Sequence, residues 1–283
     1  MARDKEREEQ LRRRIAQVED TAQSAACPIY GIKDRDATLV GSAFLLNVSG
    51  DMVLVTAAHV LEWKREYALH APGDSIAVPF EGTAYRTTAS GIDGKPDFKQ
   101  DIAFVVLTSP AMVSGARVLR VDDLDTNDFP AHQTLYGFVG FPETQNRPKP
   151  GRRLRPSSVI YTSVPASGSV YSNLGYDQRT HFAVEFEREH LLSRNLQVAT
   201  GPKPYGISGG PVWRLGNLAD IEAGKAAPKV IGIGIEWHNE LRVLVGVRMS
   251  LVIEAMGEAV PMYRPFLPRT EYVHATVTIN EPS

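Results

Sequence analysis

Short apolar or alternating runs recur along most of the chain, and Gly, Pro, Asn or Asp closes each one off. From about Cys27 onward these runs fall at 38–46, 52–56, 74–80, 102–107 and 134–140, and a second set falls at 158–163, 182–186, 230–235 and 243–247. Runs of this length between turn residues predict the strands of an all-β sandwich or barrel, not βαβ units. No fixed repeat is evident. The polar stretch 120–128 separates the two sets and reads as a connection between two units. The organisation expected is an arm over 1–22, a first β unit over 23–122, a second over 129–260 and a tail over 261–283.

Two places read as helical. Residues 3–20 alternate positive and negative charge, with Leu11, Ile15 and Val18 spaced for one thin apolar stripe. That is an amphipathic helix resting on the body or on a partner, or else a frayed, solvated arm. Ser250 is placed to cap a short helix running through Ala255 and Met256, which Pro261 would end. The stretch 276–279 is either an extra docked strand or loose.

Composition narrows the classes. With 283 residues, 43% hydrophobic and 23% charged, the chain can bury a sizeable core as one large or two smaller domains. A formal net charge of -2 speaks against a dedicated polyanion binder, so no nucleic-acid partner is expected. No apolar run approaches bilayer length, and no membrane partner is expected either. The first nine residues are charged and lack an apolar signal core, and Cys27 has no second cysteine to pair with. A reducing, cytoplasmic location follows as the expectation. The Asn47-Val48-Ser49 sequon then carries no meaning, and Cys27 reads as a small buried residue.

Candidate chemistry centres on Gly206-Ile207-Ser208-Gly209-Gly210-Pro211. Glycine permits backbone conformations and close approaches that a side chain forbids. A nucleophilic serine needs both, with backbone N–H groups aimed where an oxyanion develops. The same residues also suit an ordinary Gly-rich turn. Upstream, Thr56-Ala57-Ala58-His59 ends an apolar run, and Asp101 stands at the mouth of the run 102–107. Taken singly, the histidine is an unremarkable strand-end residue and the aspartate a turn residue. Together the three are the parts of a nucleophile–base–orienter system in the order His, Asp, Ser.

On these motifs the chain resembles the trypsin-like (chymotrypsin-fold) serine peptidases, in particular the disulfide-poor bacterial type. The resemblance rests on Ala57-Ala58-His59, Asp101-Ile102-Ala103 and Gly206-Ile207-Ser208-Gly209-Gly210-Pro211. Weaker echoes are Gly41-Ser42-Ala43-Phe44, Val139-Gly140-Phe141-Pro142, Gly232-Ile233 and Gly246-Val247. It implies two packed six-stranded β-barrels, here with a charged N-terminal helix and a short C-terminal helix, and a site in the cleft between the barrels. It further implies a serine endopeptidase acting on polypeptides through an acyl-enzyme, without a cofactor. Ser208 would be the nucleophile, His59 the base, Asp101 its orienter, and the Gly206 and Ser208 N–H groups the oxyanion hole.

The departures from the family are informative. Ile207 stands where activated digestive-type members carry an aspartate, so activation by a newly cut N-terminus has no receptor. Pro202 occupies the usual floor of the specificity pocket, which removes any visible basis for Arg or Lys preference. By the resemblance, Gly246 lines that pocket, and Ile235, Glu236 and Trp237 pair with substrate backbone. Narrow specificity and a regulatory partner taken through the N-terminal helix complete the expectation.

Other readings stay open at this level. The Gly206-Ile207-Ser208-Gly209-Gly210 pattern also fits the nucleophile elbow of α/β-hydrolases, with Asp220 and His238 or His274 as partners, though helical crossovers are missing. A trypsin-like module that binds peptides without cleaving them fits the same residues. The basic stretch 147–156 reads as a solvated loop, since no aromatic platform accompanies it. His181, Glu185, Glu187 and His190 could suggest a metal site, but strand alternation spreads the first three along one polar face, and no metal is expected.

Overall fold

The computed structural model describes residues 2–34, 36–72, 77–87, 100–108, 115–126, 133–148, 155–192, 198–270 and 279–280. The first sheet contains β1 (Ala26–Lys33), β2 (Asp36–Val48), β3 (Asp51–Thr56), β4 (Ala68–Pro72), β5 (Ala77–Pro79), β6 (Gly82–Thr87) and β7 (Ala103–Leu107), with β8 (Leu119–Arg120) added in parallel to β2. The second contains β9 (Thr134–Gly140), β10 (Val159–Ser163), β11 (His181–Glu185), β14 (Pro211–Asn217), β15 (Lys229–His238) and β16 (Val243–Arg248). The short β12 (Leu191–Leu192) and β13 (Val198–Ala199) pair with each other, and β17 (Ile279–Asn280) joins the first sheet on β6.

The first sheet runs β17-β6-β7-β3-β2-β1-β4-β5 and the second β10-β9-β14-β15-β16-β11. Both wind alike: counting β1, β2, β3, β4, β6, β7 and β9, β10, β11, β14, β15, β16 in sequence, the first pairs with the second and fourth, and the sixth with the third and fifth. The second sheet closes on itself where Ala166 N–H donates to Ala183 O (2.9 Å) and Glu185 N–H to Val164 O (3.0 Å). Two curled antiparallel sheets of one topology are the chymotrypsin-like two-barrel architecture. Closure leaves few free strand edges.

The short β4, β8, β12 and β13 fall outside the predicted runs, and so do β1, β6 and β14. Pro28 and Gly31 interrupt β1, β6 reads Gly-Thr-Ala-Tyr-Arg-Thr, and β14 starts on Pro211 and carries Arg214. None of the three alternates, because ladder pairing with buried neighbours overrides weak local preference. Where the run is strongest, at Val53, Leu54 and Val55, both faces of β3 are fully buried. The polar stretch after β8 is pinned to the second barrel by Asp125 N–H on Val230 O (2.8 Å) and by Arg214 on Asp125 (2.9 Å).

Helix α1 (Ala2–Gln23) is long enough to dock rather than fray, and it docks on the second barrel. Its Arg7 forks onto Glu222, its Glu19 accepts from Thr162 Oγ1 (3.1 Å), and its Gln23 donates to Ser158 O (2.9 Å). Helix α2 (Ala58–Glu62) follows β3 directly, and α3 (Glu143–Asn146) follows β9. Two further short helices are α4 (Gly168–Leu174) and α5 (Leu218–Ala223). The C-terminal helix α6 (Met249–Ala259) begins earlier than its sequence suggested. Arg248 holds the cap position without a side-chain cap, and Ser250 lies inside the helix, buried among apolar neighbours. Of the tail strand expected over 276–279, only Ile279 is among the described residues. No helix among them is long and apolar enough to cross a membrane.

Candidate active site

The first half of the site is made by one helix start. The first N–H groups of a helix have no intrahelical acceptor, and in α2 one of them, His59 N–H, is taken by Asp101 Oδ1 at 2.9 Å. The other oxygen, Oδ2, receives the His59 ring through Nδ1. One carboxylate, only 7% exposed, therefore fixes both the backbone and the ring of His59. Asp101 reaches that position because β7, which starts at Ala103, pairs with β3 through Ala103 opposite Thr56.

Burial of the His59 ring works against its protonation. The Asp101 hydrogen bond and charge outweigh this, with smaller pulls from Glu62 and Glu236, so the ring titrates above the ordinary histidine value of 6.5. Holding Nδ1–H on a carboxylate leaves Nε2 as the free basic nitrogen. The ring side chain is 33% exposed, enough to meet a reactant.

The second half is the serine loop between Tyr205 and Pro211. Gly209 sits at φ +85°, and a side chain there would place its Cβ 2.1 Å from Thr56 Oγ1, 2.2 Å from Ser42 O and 2.8 Å from Ala57 N. Only glycine allows the loop to press against the segment that carries His59. The contact is tied further by Ser42 N–H on Ser208 O (2.8 Å) and Gly209 N–H on Gly234 O (2.7 Å). Serine and histidine thus come from different barrels onto one seam.

Gly206 lies at φ +92°. The carbonyl before it, Tyr205 C=O, accepts Glu143 N–H at 2.8 Å, which turns the Gly206 N–H to the opposite side of that planar peptide. Neither the Gly206 N–H nor the Ser208 N–H has an acceptor among the described residues. Two unpaired donors flanking one serine are what a developing oxyanion requires. The Ser208 hydroxyl donates to Ile235 C=O (3.1 Å) and makes no hydrogen bond to His59.

The remaining sequence candidates are spread more widely. Trp237 lies edge-on to Tyr205 (5.5 Å between ring centres) and lines a cavity of about 830 Å³ with Phe186, His190, Lys203, Tyr205 and Arg242. Ile235 is buried and contributes its carbonyl to Ser208. Glu236 accepts from Tyr176 OH and pairs with His238 (3.0 Å). Pro202 faces a different cavity, of about 480 Å³, with Glu19, Gln23 and Ser158, and its carbonyl accepts Tyr161 OH (3.1 Å). Gly246 sits opposite Gly234 in the β15–β16 ladder, and the Phe182 ring fills the space of its missing side chain.

The supposed polar face of β11 is not one face. His181 is buried and stacked on Tyr176 (4.2 Å), Glu185 is exposed, and Glu187 lies beyond the strand with His190 (3.0 Å). Of the basic stretch, residues 149–154 lie outside the described residues, as does His274. Sequence reasoning passed over Tyr205, Glu143 and Asn146, which shape the serine loop. Tyr205 and Glu143 act through a backbone hydrogen bond and Asn146 through its side-chain amide on Pro142 and Ser157, and neither is visible as local chemistry.

Among solved structures, the chain is similar to a thermostable serine protease AL20 from an extremophilic microorganism, at 14% identity over 84% of this chain and 98% of that one, with a TM-score of 0.47. It is also similar to the serine endoprotease from Yersinia pestis, at 13% identity over 90% of this chain and 66% of that one, with a TM-score of 0.45. No protein-family model matches the sequence, and no curated protein matches it.

Proposed function

We propose that the chain is a serine endopeptidase with Ser208 as nucleophile, His59 as general base and acid, and Asp101 as orienter. The observation that carries this reading is the Asp101 carboxylate gripping both the backbone and the ring of His59 beside a serine loop with two unpaired N–H donors. In the reaction, Ser208 Oγ bonds to the scissile carbonyl carbon while its proton passes to His59 Nε2. The carbonyl oxygen gains negative charge and is met by the Gly206 and Ser208 N–H groups. Collapse breaks the C–N bond, and the leaving amine takes the proton from His59. Water then repeats the sequence on the acyl-enzyme and frees Ser208.

Narrow specificity fits the mixed wall of the cavity at Trp237 and Tyr205, where Glu187, Glu189 and Glu240 stand among Arg188, Lys203 and Arg242. A regulatory partner fits the charged outer face of α1. A second reading, a module that binds peptides without cleaving them, draws on one observation: Ser208 Oγ is turned to Ile235 C=O and not to His59. Incubation of the protein with a proteome-derived peptide library, read by mass spectrometry, decides between the two. New internal cleavages that vanish in Ser208→Ala support the peptidase; retention of intact peptides without cleavage supports the binder and overturns it.

A further inference from the structure

We propose that Ser42 is a positioning residue that holds the oxyanion donors in register, an assignment that rests on Ser208 being the nucleophile. Ser42 belongs to β2 in the first barrel and is fully buried. All of its polar groups are directed at the serine loop or at the segments bracing it. Its N–H donates to Ser208 O (2.8 Å), and its C=O accepts Thr56 Oγ1 (2.8 Å). Its hydroxyl donates to Gly206 O (2.7 Å) and accepts Phe141 N–H (2.9 Å). The sheet leaves these groups free for a simple reason. The β2–β3 ladder begins only at Phe44, opposite Val55, and Pro28, opposite Ser42 on β1, has no N–H to donate.

Two backbone segments therefore share one oxygen. Phe141 leads into Glu143, whose N–H holds the Tyr205 carbonyl, and Gly206 follows that carbonyl. Glycine at positive φ tolerates rotation of its peptide at little cost. A half-turn of the Tyr205–Gly206 peptide would aim a carbonyl, not an N–H, at the developing charge. The Ser42 hydroxyl opposes that turn from both sides, through the Gly206 carbonyl and through the loop bearing Glu143. The fit is close: a side chain on Gly140 would bring its Cβ within 2.9 Å of the Ser42 hydroxyl. Ser42 touches no reacting atom and acts through Gly206.

The test is labelling of Ser208 by a fluorophosphonate, followed by intact mass, with the maximal rate and the half-saturating probe concentration resolved separately. Ser42→Ala is expected to lower the maximal rate about 10- to 10³-fold, the upper end being the loss of a whole oxyanion donor. Half-saturation and the pH midpoint of labelling stay at wild-type values, because the His59–Asp101 pair is untouched. Amide exchange at Phe141 accelerates in the same variant. Where Ser42→Ala loses its thermal transition, Ser42→Cys, similar in size with a weak donor, is read by the same criteria. A folded variant labelling within twofold of wild type overturns the proposal, as does a loss accompanied by a shifted pH midpoint. A folded wild type that leaves Ser208 unlabelled removes the reading on which the proposal rests, a result distinct from an indifferent Ser42 variant.

Discussion

Replacing Asp101 with asparagine separates the two tasks of its carboxylate. Oδ1 accepts the His59 N–H at 2.9 Å and Oδ2 accepts the ring. Asparagine keeps the shape, but if its oxygen stays on the backbone N–H, its NH₂ group faces Nδ1 of the ring. A donor there makes Nδ1 the acceptor and moves the ring proton to Nε2, the atom that receives the serine proton in the proposed reaction. Loss of the tautomer is worth a factor of about 10⁴, or about 5.5 kcal/mol of barrier. The pH profile adds a second signature. The ring must be neutral to act as base, so wild-type labelling falls as pH drops through a histidine value held above 6.5. Without Asp101, burial of the ring dominates and lowers that value, so the acid limb of Asp101→Asn moves to lower pH.

Stability follows with its own sign. A folded-state value above the unfolded one contributes stability that is full below the unfolded value and lost as pH rises through the folded one. The difference in Tm between wild type and Asp101→Asn therefore narrows as pH rises above about 6.5. The assay is the fluorophosphonate labelling rate against pH, with melting curves alongside. A variant within tenfold of wild type, or one with an unmoved acid limb, would refute the reasoning.

Three further outcomes follow from the same geometry. Gly209→Ala forces a side chain against Ser42 O and Ala57 N at positive φ; strain and overlap together cost about 2–5 kcal/mol, seen as a lower denaturant midpoint with loss of Ser208 labelling. Asn146 is buried and bonds Pro142 O (2.8 Å), Ser157 O (3.1 Å) and Ser157 N–H (2.7 Å); Asn146→Ala removes all three bonds, though Pro142 O keeps Gln145 N–H (3.0 Å), and lowers stability by about 1–3 kcal/mol in chemical denaturation. Cys27 is 2% exposed and burial pushes its thiol up to about 12, so N-ethylmaleimide modifies it only as the protein unfolds; rapid labelling of the native state would contradict its placement.

How much of this was legible in the sequence depends on the interaction concerned. Strongly apolar runs such as Val53–Val55 announced their strands because burial on both faces demands it. The residues of the proposed site, His59, Asp101 and Ser208, were named from the sequence because few residue types can do nucleophilic chemistry and glycines mark the serine; the structure brings His59 onto Asp101, while the Ser208 hydroxyl bonds Ile235 C=O. What stayed hidden depends on long-range backbone pairing. β14 starts on a proline and carries Arg214, and is made a strand by its neighbours β9 and β15. The Glu143–Tyr205 bond and the hydroxyl of Ser42 join residues more than sixty and one hundred and sixty positions apart, and no local pattern encodes them. The same holds for the Ser208 hydroxyl, whose choice of Ile235 C=O is a side-chain rotation and not a feature of composition. Ser250 was misplaced because β16 runs straight into α6, so that Arg248, which ends the strand, takes the cap position without any side-chain cap.

The central claim is that Ser208 is an activated nucleophile in an assembled site. It is tested most directly by exposing the folded protein to a fluorophosphonate and weighing it intact, with Ser208→Ala alongside. The account predicts one adduct per chain on wild type and none on Ser208→Ala at unchanged Tm. A folded wild type that gains no mass, or a Ser208→Ala protein that still gains it, would contradict the account.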